Sequence, residues 1–105
     1  MTNHQVSFSS QVVALPVPWE AFRHHQGALF EVIYLTLNQG ETMPLHSNDV
    51  PVLFEVLEGE GLLTIEDASY QMSPGDWAEV KPTVSRGWQN TGSGRLKLLV
   101  VKFMC

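Results

Sequence analysis

Cysteine, positive charge and long apolar runs are all scarce in this chain, and each shortage removes a class of protein from consideration. The single cysteine is Cys105 at the end of the sequence, so neither an internal disulfide framework nor a cysteine-rich zinc site can form. Its thiol reads as an incidental terminal group. Six Lys and Arg stand against eleven Asp and Glu, a net charge of −5. The cations are scattered at Arg23, Lys81, Arg86, Arg95, Lys97 and Lys102, so no basic cluster follows a phosphate backbone and no nucleic-acid partner is expected. No stretch approaches the roughly 18 consecutive apolar residues of a membrane span, and the opening MTNHQVSFSSQ has neither the basic nor the apolar region of a secretory signal. A soluble, cytoplasmic protein with no membrane partner is the expectation.

What is present is a chain of 105 residues, 44% hydrophobic and 16% charged, enough for one packed core and too short for two. Its apolar segments are short. Residues 28–37 (ALFEVIYLTL) are apolar on both alternating faces and rich in β-branched and aromatic side chains, the pattern of a strand covered on both sides. Further runs at residues 52–57, 62–65, 77–80 and 96–103 are separated by Glu58-Gly-Glu-Gly61, Glu66-Asp67, Ser73-Pro-Gly-Asp76 and Asn90-Thr-Gly-Ser-Gly94. These turn signals recur too closely for helices, so the fold is all-β, a sandwich or barrel. The two glycines of Glu58-Gly-Glu-Gly61 favour a tight hairpin between the runs they join. Residues 1–27 are less regular, and Pro16 and Pro18 argue against a long helix there. They read as an opening strand and a loop holding His24 and His25, a segment that completes the barrel or a dimer formed by residues 28–105.

The spacing of residues 40–103 resembles that of the cupin superfamily, small antiparallel β-barrels of jelly-roll topology. The family's first motif has Gly, two His, Glu and Gly where this chain has Gly40, His46, Asn48, Val52 and Gly59. Its second has Gly, Pro, Gly, His and Asn where this chain has Gly75, Lys81, Thr83, Arg86 and Asn90. The resemblance implies a single-domain antiparallel barrel and a homodimer, and in the family the three histidines and the glutamate hold one divalent metal. Here His46 alone is retained. Arginine has no lone pair to offer and carries a fixed positive charge, valine donates nothing, and a carboxamide is a weak neutral ligand. No metal and no other cofactor is therefore expected.

If Arg86 points inward, as its place in the motif implies, Trp88 and Asn90 share its face two and four residues on. His46, Asn48, Arg86, Trp88 and Asn90 then form a candidate ligand site, with the guanidinium and carboxamides suited to an anionic or polar small molecule and Phe54 or Trp77 as flat walls. Other readings stay open. His46 either caps a strand end, contacts a ligand or holds a metal with donors from elsewhere. Arg86 either binds an anion, pairs with Glu79 or faces solvent. Catalytic residues cannot be assigned: no nucleophile triad or phosphate-cradling loop is present. The expected function is small-molecule binding; a metal-independent isomerase or cyclase using His46 for proton transfer is the alternative, and a metal-dependent dioxygenase a more distant one.

Overall fold

A computed structural model of the protein describes residues 4–104; Cys105 and residues 1–3 lie outside the described residues. After a 3-10 turn at Ser9–Gln11, ten strands follow: β1 (Val13–Ala14), β2 (Glu20–Gln26), β3 (Phe30–Leu37), β4 (Thr42–His46), β5 (Val52–Glu58), β6 (Gly61–Ile65), β7 (Ala68–Met72), β8 (Trp77–Val80), β9 (Arg86–Asn90) and β10 (Leu96–Phe103). They form a six-stranded sheet ordered β1-β2-β3-β10-β5-β8 and a four-stranded sheet ordered β4-β9-β6-β7. Every pairing is antiparallel, and the two sheets face one another as a jelly-roll barrel. Among the described residues no helix is long and apolar enough to cross a membrane.

The core follows from strand parity. Ile33, Leu35 and Leu37 of β3, Val52, Phe54 and Val56 of β5, and Leu96, Leu98 and Val100 of β10 are all buried, each set spaced by two so that it lines one face. From the facing sheet come Met43, Leu63, Met72 and Trp88. Each large apolar side chain so buried contributes roughly 1.5 to 3 kcal/mol.

Two local expectations change. Glu58-Gly-Glu-Gly61 does not close a hairpin: β5 and β6 belong to different sheets, and the turn carries the chain from one sheet to the other. Gly59 sits at φ +86° with its Cα against the Arg95 backbone, where a Cβ would collide with the carbonyl oxygen. The hairpin forms one turn later, β6 to β7 across Glu66 and Asp67. His24 and His25 lie not in a loop but on β2, half-buried beside a register shift between Arg23 and His25. His24 stacks edge-on to Tyr34 at 4.5 Å and His25 packs on Phe30 at 5.5 Å.

The same parity makes the barrel's two ends unlike. At one end the inward positions are Leu37, Leu96, Gly61 and Asn90, all buried. Following each strand to the other end, the inward series turns polar: Leu96, Leu98, Val100 and then Lys102 on β10; Leu37, Leu35, Ile33 and then Glu31 on β3; Asn90, Trp88 and then Arg86 on β9.

Candidate functional site

The site is built at the polar end, beginning with a bulge. Met43 pairs with Trp88 and His46 with Arg86, so Pro44 and Leu45 together oppose the single residue Gly87. The position suits the sequence. Proline lacks the N–H a central strand needs, and β4 is an edge strand. Gly87 lets the bulged chain approach, since a Cβ there would lie 2.7 Å from the Met43 carbonyl oxygen. In a regular strand Leu45 would follow Met43 inward; the extra residue leaves Leu45 57% exposed and puts His46, itself exposed, at the rim of the interior face instead. His46 Nδ1 lies 2.9 Å from the Pro44 carbonyl oxygen. A carbonyl only accepts, so Nδ1 carries the proton and donates it, which leaves the Nε2 lone pair uncommitted in the neutral ring.

Beside His46 a cavity of about 390 Å³ opens between β4 and the six-stranded sheet. Its body is apolar, with Met43, Ile33, Leu35, Val52, Phe54 and Val100 in its walls. The segment leading into β2 supplies another wall through Leu15, Val17 and Trp19, folded back by the Leu15 N–H donating to the Ala21 carbonyl at 2.9 Å. Three polar side chains complete the lining: His46, Asn48 and Lys102. Asn48 is held through its backbone, its carbonyl accepting from the Thr83 N–H at 2.7 Å. The volume lies within the range of small-molecule sites.

Of the five residues singled out from the sequence, His46 and Asn48 line this cavity and Arg86, Trp88 and Asn90 do not. Asn90 ties the closed end together: its amide nitrogen donates to the Leu37 carbonyl at 2.9 Å and the Gly94 carbonyl at 2.8 Å, and its oxygen accepts from the Gly92 N–H at 2.9 Å. Leu37 is in the opposite sheet, so this one side chain joins the two sheets and shapes the β9–β10 turn. Trp88 is 1% exposed and packs edge-on against Phe54, ring centres 5.6 Å apart. Trp77, the other candidate wall, is 65% exposed and lies outside the cavity.

Arg86 is oriented inward and fully buried. Its Nη1 donates to the Val84 carbonyl at 2.9 Å, while Nε and Nη2 have no partner among the described residues. The pairing with Glu79 does not form: Glu79 is exposed on β8, and the ion pairs among the described residues are Arg23 with Glu31 and Arg95 with Glu58. β8 explains why. Val80 faces the core, so strand alternation turns Glu79 to the other side. Burial pushes the Arg86 guanidinium below its ordinary pKa by desolvation, yet a guanidinium stays charged near neutral pH.

The four positions where the family's motifs place metal ligands do not compose a donor set here. Val52 is buried in the core, Arg86 brings a cation and Asn48 a neutral amide, which leaves one imidazole where a transition-metal site needs three or more donors. Among the described residues no three His, Cys, Asp or Glu side chains gather into a group that could hold a metal ion.

Lys102 is the polar cavity residue that the motif positions do not mark. Its signal was present: in LKLLVVKF (residues 96–103), Lys102 falls on the same alternation as Leu96, Leu98 and Val100, whereas Lys97 falls on the other and lies over the Tyr34 ring at 5.8 Å.

The topology and the motif positions define a small jelly-roll barrel with one end closed and an apolar interior open at the other. The chain belongs to the cupin domain family, whose model matches residues 33–102. Among solved structures, an RmlC-like cupin from Shewanella frigidimarina superposes with a TM-score of 0.82 at 15% identity, covering 98% of this chain and 93% of that one. KdgF from a Halomonas species gives 0.80 at 12% identity, covering 95% and 94%. A predicted oxalate decarboxylase from Thermotoga maritima gives 0.76 at 19%, covering 96% and 100%. Identities this low show a shared fold. No curated protein matches the sequence.

Proposed function

We propose that the protein is a small-molecule-binding cupin that works without a resident metal, its ligand entering at the open end of the barrel. The observation that carries this reading is the cavity itself: about 390 Å³ of largely apolar space, with His46 and Asn48 at its edge. An apolar chamber with a few convergent polar groups is the usual form of a ligand site. The poor donor set supports metal-free binding. Metal analysis of protein purified without chelators tests that part: stoichiometric metal lost on replacing His46 contradicts it, and substoichiometric metal indifferent to His46 agrees with it. Ligand-induced shifts of the backbone amides of β4 and the Asn48 loop test the site.

A second reading, metal-independent acid–base catalysis such as isomerisation or cyclisation, is favoured by one specific observation. His46 lines the cavity with its Nδ1–H directed to Pro44, so Nε2 is the atom available to take a proton from a bound substrate. We also propose a homodimer in the cytoplasm. The outer face of the six-stranded sheet carries half-buried Phe22, Tyr34, Leu53 and Leu99, with Leu57 and Trp77 more exposed, an apolar surface suited to a second copy. Sedimentation of the wild-type protein and of Trp77→Glu reads the oligomeric state; a monomeric wild type contradicts the dimer.

A further inference from the structure

We infer that the ligand of this cavity is an amphipathic organic anion, an aliphatic or aromatic carboxylate whose apolar body fills the barrel and whose charged head rests at the mouth against Lys102. The inference rests on the cavity being the ligand site, and it names the chemistry that site selects.

The argument is one of placement. Lys102 is the last inward residue of β10, one alternation beyond Val100, and both line the cavity. It is a cation at the rim of an apolar chamber, and its natural counter-ion is engaged elsewhere. Glu31 lies directly opposite Lys102 in the β3–β10 ladder, but the Glu31 carboxylate pairs with Arg23 Nη1 at 3.5 Å. Among the described residues Lys102 has no carboxylate within ion-pair distance. His46 and Asn48 line the cavity as well, His46 from the sheet that faces β10. A carboxylate there gains a charge-assisted hydrogen bond from Lys102 and can accept another from the Asn48 amide.

The chamber's chemistry sets the rest of the molecule. Met43, Ile33, Leu35, Val52, Phe54 and Val100 offer no side-chain hydrogen bond. A sugar-like ligand would leave its hydroxyl groups unpaired against these walls, at the full cost of their desolvation. A hydrocarbon or aryl body incurs no such penalty and displaces water from apolar surface.

Calorimetric titration of the intact protein with decanoate, decanol and galacturonate, each below its aggregation concentration, tests both halves. Decanoate is expected to bind at least about tenfold more tightly than decanol, the factor one charge-assisted hydrogen bond supplies, and galacturonate more weakly than either. Lys102→Met is expected to remove the preference for decanoate over decanol. Lys102→Gln, which keeps a polar chain without the charge, is expected to weaken the preference as well, so the test does not rest on the folding of one variant. Equal affinity for decanoate and decanol overturns the anionic head and leaves the cavity as a ligand site. Tighter binding of galacturonate overturns the apolar body with the same consequence. Binding of none of the three overturns the inference together with the reading on which it rests.

Discussion

The two ends of this barrel are made by the same strands yet do opposite things. At the closed end the interior polar group, Asn90, has its amide and carbonyl matched by three backbone partners. At the open end Arg86 is equally buried, two of its nitrogens have no partner among the described residues, and the rim beside it carries His46 and Lys102. A buried polar group that is fully paired holds a structure together; one that is not raises its free energy. The comparison teaches that the closed end is organised for stability and the open end tolerates loss of stability in exchange for a chamber.

Substitution can break that comparison, beginning with the largest expected effect. Trp88→Ala empties the space beside Phe54 and should cost about 3 to 5 kcal/mol of unfolding free energy, measured by urea denaturation. Asn90→Ala leaves the Leu37 and Gly94 carbonyls and the Gly92 N–H unpaired and should cost roughly 2 to 3 kcal/mol; a loss below half of that would mean the closed end is not pinned by this side chain. Arg86→Met has the opposite sign. Removing an unpaired buried cation for an apolar chain of similar length should stabilise the protein by about 1 kcal/mol or more, and a clear loss would show that the guanidinium has a partner in solution. His46→Gln and Glu79→Ala should each change stability by less than about 0.5 kcal/mol, Glu79 because it faces away from Arg86.

The pH dependence of the Arg86 effect has a definite sign. Its folded pKa is lowered, so the penalty for holding the charged form is fully present at pH values below the shifted value and is relieved only as pH rises through it towards the unfolded value. Near neutral pH the penalty is constant. The stabilisation of Arg86→Met should therefore not vary between mildly acidic and mildly alkaline buffer, and equilibrium denaturation across that interval checks it.

The sequence was more informative about architecture than about the site, for reasons visible in particular residues. Period-two apolar runs such as residues 28–37 and 96–103 encode which face is buried, and the motif spacing around Gly40, His46, Gly75 and Asn90 carried the cupin fold. The inward direction of Arg86 was legible by the same alternation. What its guanidinium meets was not, because that depends on Glu79 facing the other way on a strand distant in sequence. Asn90 looked like a ligand contact because a carboxamide is equally suited to a ligand and to backbone; only the approach of Leu37 from the opposite sheet decides which. Glu58-Gly-Glu-Gly61 carried the signature of a reversal but not of which sheet the chain would enter next. Lys102 was legible through its place on the alternation of β10, but a lone cation near the end of a strand ordinarily reads as solvated.

The central claim, that the open end receives a ligand with an apolar body, is tested most directly by following the amide and methyl resonances of the intact protein during titration with decanoate. The account predicts saturable shifts concentrated at Met43, His46, Asn48, Val52, Val100 and Lys102, with Asn90, Gly92 and Leu37 at the closed end unmoved. Shifts confined to the outer face around Trp77 and Leu57, or no saturable shift at all, would contradict it.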